Sequence, residues 1–413
     1  MTTPPGAHDR EMAAVRARNS AACVEVLRER GRATLAELAA ATTLSRPTVE
    51  KILTDLQEAG VVTPDDVVTG SGAGRPARRF AFVPGAAYLA GVDLGLDTAR
   101  ALLCDLSGAV VASVDRRIDP GIDGIGRLRA VPELVGLLTS QAQVHPQQVR
   151  GVTVAVSGIV DELGRMTQSD LVPEWTGVDL AGRLSRMLSC PVAVENDVKV
   201  AAVAEHHTGA AQLVDDVVFV KVDRFVSAAI ILGGRLHAGR RSAAGEIGAL
   251  EAAGQETAMA SDEVLVEDRL AMVARAEAGD SVADVELTEY TRRLARSIGL
   301  VALTVDPDLV VLGGGVSAVG EPLLSRVRQQ LGALAGRTFL PTMTTSTLGG
   351  RGVAVGALVR ALERASATVY GNPAVTAPPL RVSGRSDDFA AALSALAPGV
   401  HGRAPFEPAH TRS

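Results

Sequence analysis

The stretch TLAELAAATTLSRPTVEKILTDLQEAG, residues 34–60, decides the fold of the first part of this chain. Thr34 and Glu37 have the spacing of a capping box, which predicts that a short helix begins after Thr34. Ser45 is placed to cap a second helix, and Pro47 lies in its first turn, where a missing N–H costs little. Four apolar residues of this second helix have the spacing of one buried face: Val49, Ile52, Leu53 and Leu56. Two short helices joined by a tight turn predict a helix-turn-helix.

The residues on either side of this motif complete a winged helix-turn-helix. Apolar residues at helical spacing predict a preceding helix over residues 20–30, which ends at Gly31. Short strands are predicted over residues 61–63 and 79–83. The Gly-rich, basic segment between these strands would form the wing.

Seven polar residues of this motif are candidates for contact with double-stranded DNA. The second helix of such a motif enters the major groove, and a wing reaches phosphates or the minor groove. The expected DNA-contacting residues are Ser45, Arg46, Thr48, Lys51, Arg75, Arg78 and Arg79. An alternative is that the helices serve protein contacts and that the arginine-rich loop is only a solvated surface.

Composition and charge limit the function classes of the whole chain. Its 413 residues suffice for two or three domains, and 47% apolar residues with a net charge of −6 are typical of a globular protein. Residues 1–85 hold eleven basic and ten acidic residues, so the remainder carries the net negative charge. The three cysteines lie too far apart for a zinc cluster. We expect a cytoplasmic protein without membrane contact, because neither a membrane span nor a secretory signal is recognisable.

The pattern changes after Pro84 to alternating strands and helices. Residues 88–118 predict three strands, with turns at residues 95–98 and 107–108. Further strands, Gly-containing turns and helices follow, up to a buried strand that ends in three glycines at residues 313–315. Such alternation predicts an α/β architecture with ligands at the carboxyl ends of the strands.

Five short motifs of this α/β part occur in the order of one known protein family. They are VDLG at 92–95, SGIV at 157–160, END at 195–197, GEIG at 245–248 and LGGG at 312–315. Together with the helix-turn-helix they resemble the ROK family (repressors, open reading frames and sugar kinases), from about residue 16 to residue 365. The resemblance implies a two-lobed actin-like ATPase fold of the sugar-kinase type, with a cleft between the lobes.

The same resemblance implies residues that would hold a sugar or sugar phosphate. In a kinase of this family Asp197 would be the general base, and Asn196 and Glu246 would hold sugar hydroxyls. The full set of ligand residues implied in this way is Gly158, Asp170, Asn196, Asp197, Glu246 and Glu267. Asp170 departs from the pattern, because the family often has an Asn in this region. An alternative is that Asn196 and Asp197 form an ordinary helix N-cap.

Several parts of the family's catalytic machinery are altered in this chain. DRFVSAA at residues 223–229 replaces a Gly-rich phosphate loop, so Cβ atoms and the Asp223 charge would stand where backbone N–H groups approach phosphates. GLD at residues 95–97 adds a carboxylate to the first phosphate loop. Ala249 replaces a zinc-binding His, and residues 251–268 contain no Cys or His. We therefore expect no catalytic residue, no metal site and no cofactor.

The expected domain boundaries follow from these motifs. Residues 1–15 are expected to be disordered, residues 16–84 to form the winged helix-turn-helix and residues 85–370 the two-lobed domain. Residues 371–413 are expected to form a Pro-rich linker, a short helix near Phe389 and a flexible tail. Because helix-turn-helix repressors read two-fold symmetric sites, we expect a homodimer or a dimer of dimers.

These patterns predict a DNA-binding transcription regulator that acts as a repressor, is not an enzyme, and has a sugar or sugar phosphate as the candidate ligand of its cleft. Two alternatives stay open. The retained Asp197 permits an ATP-dependent sugar kinase with an accessory DNA-binding head. A third interpretation is a regulator that answers to a protein partner without a small-molecule ligand.

Overall fold

The computed structural model describes residues 7–65, 78–223, 226–248, 266–335, 340–382 and 389–396. Over these residues the chain forms a small N-terminal domain, two larger α/β lobes and a C-terminal segment. The predicted α/β class is confirmed, and so is the order of a winged helix-turn-helix followed by two lobes.

The N-terminal domain, called the head below, is a winged helix-turn-helix. Its elements are α1 (Ala7–Arg30), β1 (Arg32–Thr34), α2 (Leu35–Thr42), α3 (Arg46–Glu58), β2 (Val62–Asp65) and β3 (Arg79–Phe82). The strands form an antiparallel sheet in the order β1-β3-β2. The predicted capping box of Thr34 and Glu37 is present, and the Ser45 hydroxyl accepts the Thr48 backbone N–H at 3.3 Å. Local caps therefore set the start of both helices of the motif.

Helix α1 begins earlier than the sequence predicted. Residues 7–15 were expected to be disordered but belong to this helix, so that expectation was wrong. The apolar contacts of α1 begin near its middle, where Cys23, Val24 and Leu27 are buried. None of residues 11–20 is buried, and hydrophobic periodicity therefore gave no signal for them.

The first lobe is built on a six-stranded mixed sheet. Its strands are β4 (Tyr88–Leu94), β5 (Thr98–Asp105), β6 (Ala109–Arg117), β7 (Val149–Val156), β10 (Val192–Asn196) and β16 (Arg381–Val382), and a small hairpin is formed by β8 (Ile159–Val160) and β9 (Met166–Gln168). The order is β10-β7-β4-β5-β6-β16, with β4 antiparallel to β5 and parallel to β7. The three strands predicted over residues 88–118 are confirmed. The helices of this lobe are α4 (Gly124–Ala142), α5 (Leu180–Leu188) and α6 (Asp197–Thr208).

The second lobe is built on a five-stranded sheet. Its strands are β11 (Val217–Val222), β12 (Val226–Leu232), β13 (Arg235–His237), β14 (Leu309–Gly313) and β15 (Thr342–Thr345), in the order β13-β12-β11-β14-β15. Helices α7 (Val266–Glu277), α8 (Ser281–Val305) and α9 (Glu321–Ala335) belong to this lobe. Residues of α8, α9 and the inner strands share one apolar core.

Helix α10 (Gly352–Thr368) follows the second lobe in sequence but packs on the first. It crosses α6 so closely that a Cβ atom on Gly356 would lie 1.7 Å from the Val200 carbonyl oxygen. A Cβ atom on Gly91 of β4 would likewise lie 2.2 Å from the Leu358 backbone nitrogen of α10. Both glycines are needed because the backbones meet there without room for a side chain.

The segment after α10 ties the first lobe to the head. Asn372 donates its side-chain N–H to the Ala17 carbonyl oxygen at 2.9 Å. The Thr376 hydroxyl donates to the Glu25 carboxylate at 2.9 Å, and Arg28 donates to the Thr376 carbonyl oxygen at 3.0 Å. The apolar core of the head also continues into that of the first lobe. Helix α1 is therefore held by the large domain along one side.

The rest of the C-terminal segment differs in part from the predicted linker. Arg381 and Val382 form β16, which extends the first sheet in parallel with β6. The prediction of a linker was therefore wrong for these two residues. Their pairing partners lie about 270 residues earlier in the chain, so no local pattern indicated this strand. The predicted short helix is present as α11 (Phe389–Leu396), and Leu393 is buried against the body of the protein.

Candidate functional site

Helix α3 presents its polar face to solvent. Ser45, Arg46 and Lys51 are exposed and Thr48 is partly exposed, whereas the four predicted apolar residues are buried. The hydroxyl oxygens of Ser45 and Thr48 lie 2.8 Å apart, which fixes both at the start of the helix. Arg46 and Lys51 form no ion pair or side-chain hydrogen bond with any described residue. Their charges are therefore available for contact with another molecule.

The predicted wing is only partly within the described residues. Arg75 falls in residues 66–77, outside the described part of the chain. Arg78 is exposed, and its guanidinium lies 5.3 Å from the centroid of the Phe80 ring. Arg79 is the first residue of β3, where it is paired with Thr34 of β1. The two described arginines thus stand at the base of the wing, beside the sheet of the head.

The cleft brings together three of the six predicted ligand residues through Asn196. Its side-chain amide donates to the Gly158 carbonyl oxygen at 2.9 Å and lies 3.5 Å from the Glu246 carboxylate. Gly158 has a φ of 128°, and a Cβ atom there would lie 2.5 Å from the Gln168 carbonyl oxygen, so the loop requires glycine. Asn196 also caps α6, because its side-chain oxygen accepts the Lys199 backbone N–H at 2.9 Å. The N-cap interpretation is therefore confirmed, and the amide N–H groups still face the cleft residues.

The structure describes the side chain of one further predicted ligand residue, Asp170, but not that of Glu267. Asp170 accepts a hydrogen bond from the Gln168 side chain at 3.2 Å. Burial raises the pKa of Glu246, and the nearby charges of Asp197 and Asp170 raise it further, while Lys199 opposes the shift. Asp170 is thus close enough to act on Glu246 by charge. Glu267 lies in the first turn of α7, and its side chain is outside the described part of the structure.

Asp197 is held in an ion pair that the sequence analysis missed. The Lys221 ammonium donates to Asp197 Oδ2 at 2.7 Å and lies 3.0 Å from Asp223 Oδ2. Asp197 Oδ1 accepts the backbone N–H of Val198 at 2.9 Å, so both carboxylate oxygens are engaged. Burial lowers the pKa of Lys221, but Asp197 and Asp223 outweigh burial and raise it above its usual value.

The Asp223 side chain also contacts the glycine loop (residues 313–315) at the end of β14. Its Oδ1 accepts the Gly315 backbone N–H at 2.6 Å, and Arg269 donates to its carbonyl oxygen. Gly314 has a φ of 85°, and a Cβ atom there would lie 2.8 Å from Asp223 Oδ1. Burial raises the pKa of Asp223, yet Lys221 and the Gly315 N–H outweigh burial and lower it. An ionised carboxylate therefore fills the space beside this loop.

Asp93 is a further buried carboxylate of the cleft. It belongs to the predicted first phosphate loop, and its carboxylate lies 3.5 Å from Arg100. Burial raises the pKa of Asp93 to about 6, and Arg100 and Lys221 only partly oppose this effect. Asp93 thus adds a third carboxylate to this part of the cleft, beside Asp197 and Asp223, which pair with Lys221.

Neither a metal-binding cluster nor a membrane-spanning helix is found in the described part of the chain. No group of three or more His, Cys, Asp or Glu side chains is arranged there to hold a metal ion. None of the helices within the same ranges is long and apolar enough to cross a bilayer. Most of the segment where the family's zinc ligands would stand, including Ala249, lies outside the described residues.

Comparisons with known proteins agree with this arrangement of domains. Residues 89–364 match the ROK family, and residues 19–66 match the IclR helix-turn-helix domain. The chain is 25% identical over 213 residues to the xylose repressor of Bacillus subtilis, covering 52% of this chain and 55% of that protein. It is 25% identical over 361 residues to the DNA-binding transcriptional dual regulator NagC of Escherichia coli, covering 78% of this chain and 86% of NagC.

A solved structure extends the likeness to the fold of both parts. A ROK family transcriptional regulator, a homolog of the E. coli MLC protein, superposes with a TM-score of 0.64 at 19% identity. This superposition covers 87% of this chain and 98% of that one, whereas the xylose repressor is matched over about half its length. Because the family match extends over most of the sequence, the chain belongs to the ROK family.

Proposed function

We propose that the protein is a DNA-binding transcription regulator that acts as a repressor, binds a sugar or sugar phosphate in its cleft and does not phosphorylate it. The observation that carries this proposal is the helix-turn-helix with an exposed polar face, in which Arg46 and Lys51 have no described partner. Such a helix fits the major groove, and free cations suit contacts with bases and phosphates. The similarity to the xylose repressor and NagC supports the same function. A regulator of this kind would act in the cytoplasm, as a homodimer or a dimer of dimers on a two-fold symmetric site.

The absence of catalysis is proposed from the surroundings of Asp197. A general base must accept the proton of a sugar hydroxyl on one of its oxygens. The Lys221 ammonium on Oδ2 and the Val198 N–H on Oδ1 compete with a sugar hydroxyl for this carboxylate. Asp223 adds a negative charge beside the glycine loop, which would repel the phosphates of a nucleotide. The residues of the cleft therefore favour ligand binding over phosphoryl transfer.

A path for regulation runs from the cleft to the head along α10. Arg360 of α10 donates to Glu195 at 2.9 Å, and Glu195 is the neighbour of Asn196 in β10. The chain leaves α10 directly into the segment in which Asn372 and Thr376 bind α1. A ligand that changes the angle between the lobes would thus change the position of the head. The ligand would shift the free energy of DNA binding by at most the difference between its own binding free energies in the two states.

The proposal is tested by mapping the DNA bound by the full-length protein across the genome that encodes it. Each recovered site is then titrated against the purified protein by fluorescence anisotropy at fixed salt, with an unrelated duplex as the control. We expect the recovered sites to bind at least a thousandfold more tightly than the unrelated duplex. Equal affinity for both duplexes at every salt concentration would contradict the proposal.

One second candidate, an ATP-dependent sugar kinase, rests on the presence of Asp197, Asn196 and Glu246 in the sequence. A coupled assay of ADP release over a panel of hexoses and amino sugars separates the two functions. Sustained turnover that Asp197→Asn abolishes would establish the kinase. Thermal-shift screening of the same sugars tests the ligand, because a molecule that binds the native state raises Tm by mass action.

A further inference from the structure

A cavity of about 480 Å³ lies beside the edge strand of the first sheet. Its wall is formed by residues of β10, α6, β13, α10 and the turn after β8. Of the predicted ligand residues whose side chains the structure describes, only Asn196 lines it. This volume lies within the range of known small-molecule sites. It is therefore a site distinct from most of the predicted sugar contacts.

Lys199 places an ammonium group in the buried part of this wall. The residue is 5% exposed, and its Nζ donates one hydrogen bond, to the Ser242 carbonyl oxygen. No carboxylate of the described residues lies within 4 Å of this ammonium. Burial lowers the pKa of Lys199, and the more distant charges of Glu246 and Glu195 only oppose the shift. A buried cation without a direct counter-ion is costly, and an anion bound beside it would remove that cost.

The acidic residues of the wall do not neutralise Lys199. Glu195 is held by Arg360 at 2.9 Å and also by Arg364. Asp161 accepts the backbone N–H groups of Leu163 and Arg165, which close its own turn. The remaining acids of the wall are Glu363, which pairs with Arg360, and Glu162, which is exposed at the rim. The buried surface of the cavity therefore carries one positive charge that its neighbours leave unpaired.

We propose that this cavity binds a small metabolite through an anionic group, phosphate or carboxylate, that pairs with Lys199. The ammonium is a compact point charge with two further N–H donors, which suits either group. Arg360 and Arg364 of α10 line the same cavity. This proposal does not rest on DNA binding by the head, because the residues that carry it all belong to the two lobes.

The chain has three lysines, Lys51, Lys199 and Lys221, so growth on lysine labelled with ¹³C at Cε gives a spectrum of three side-chain signals. The full-length protein is titrated with inorganic phosphate and, separately, with acetate, at ionic strength held constant with chloride. We expect the Lys199 signal to move saturably with at least one of these anions and to stay in place with chloride. The anion that moves it shows which group the site prefers.

Variants assign the signals and keep the test independent of folding. Lys199→Met removes one signal and identifies it, while the unchanged position of the Lys221 signal reports that the cleft is still folded. Lys51→Met is the matched control, because Lys51 is an exposed residue of α3 that could bind phosphate on its own. The response of Lys199 should persist in this variant. A Lys199 signal that stays fixed in both anions, or a response confined to Lys51, would overturn the proposal while leaving DNA binding as a separate question.

Discussion

The Lys221 ammonium lies 2.7 Å from Asp197 Oδ2, and this ion pair joins the two lobes. Asp197 follows β10 of the first sheet, whereas Lys221 belongs to β11 of the second. Asp223, on the same side as Lys221, completes the cluster at 3.0 Å. The side chains of Lys221 and Asp197 are 19% and 10% exposed, so solvent screens the pair only weakly. The lobes thus share a charged contact formed by their own side chains.

The first prediction concerns the stability that depends on this contact. Lys221→Met should lower the free energy of unfolding by about 3 to 5 kcal/mol, because it leaves two neighbouring carboxylates without their cation. Urea denaturation followed by circular dichroism measures the change.

Two further variants make this result specific. Lys51→Met, the same substitution at an exposed position, should change the free energy of unfolding by less than about 0.5 kcal/mol. The double variant Lys221→Met/Asp197→Asn should recover part of the loss, since it no longer leaves Asp197 charged and unpaired. A single variant as stable as the wild type would show that the ion pair does not hold the lobes.

The elements that the sequence predicted best are those fixed by local signals. The capping residues Thr34 and Ser45 act on backbone groups three residues away, so α2 and α3 were predicted with nearly correct bounds. The three strands β4, β5 and β6 were also predicted well, because the turns at residues 95–98 and 107–108 separate them. The END motif identified Asn196, whose hydrogen bonds lie at the centre of the candidate site.

The features that the sequence did not reveal depend on distant parts of the chain. Lys221 and Asp197 are 24 residues apart in the sequence and belong to different lobes, so no local spacing predicts their contact. One signal was present, since a lysine in the otherwise apolar strand VVFVKV requires a partner when it is buried. Strand β16 exists only because β6 offers an edge about 270 residues earlier in the chain.

The second prediction concerns the recognition face of α3. Arg46→Ala should weaken binding to a recovered DNA site by about 1 to 3 kcal/mol, the usual contribution of a side chain that reads a base. Lys51→Ala should instead weaken binding to all duplexes and reduce the slope of log K against log salt by about 1, as for a phosphate contact. Fluorescence anisotropy at several salt concentrations separates the two effects. Thr54→Ala, at an exposed position farther along α3, should bind like the wild type, and a loss as large as that of Arg46→Ala would argue against a base contact.

The third prediction concerns the cap of the recognition helix. Ser45→Ala should destabilise the first turn of α3 by about 1 kcal/mol, because the Thr48 backbone N–H loses its acceptor. Hydrogen–deuterium exchange of peptides covering residues 46–58 measures this local loss as faster exchange. Ser45→Asp should exchange like the wild type, since a carboxylate caps the same N–H and suits the positive end of the helix. Equal protection in the alanine variant would mean that packing alone holds this turn.

The fourth prediction concerns Asp93 and the dependence of stability on pH. Burial raises its pKa from 3.8 to about 6, so between these values the native state binds a proton that the unfolded chain has released. Stability contributed by this group is therefore full below about pH 4 and is lost as the pH rises through about 6. Asp93→Asn removes the titration, and the free energy of unfolding of the variant relative to the wild type should rise over this range by about 2 to 3 kcal/mol.

The measurement for Asp93 compares urea denaturation of the wild type and Asp93→Asn at several values between pH 4 and pH 7.5. All other titrating groups are shared by the two proteins, so the difference between their curves isolates this carboxyl group. The difference should change mainly below about pH 6.5 and be level above it, because Asp93 is then ionised in both states. Asp55→Asn serves as the matched control, as this carboxylate is exposed on α3 of the head. A constant offset between wild type and Asp93→Asn across the whole range would show that burial does not raise the pKa of Asp93.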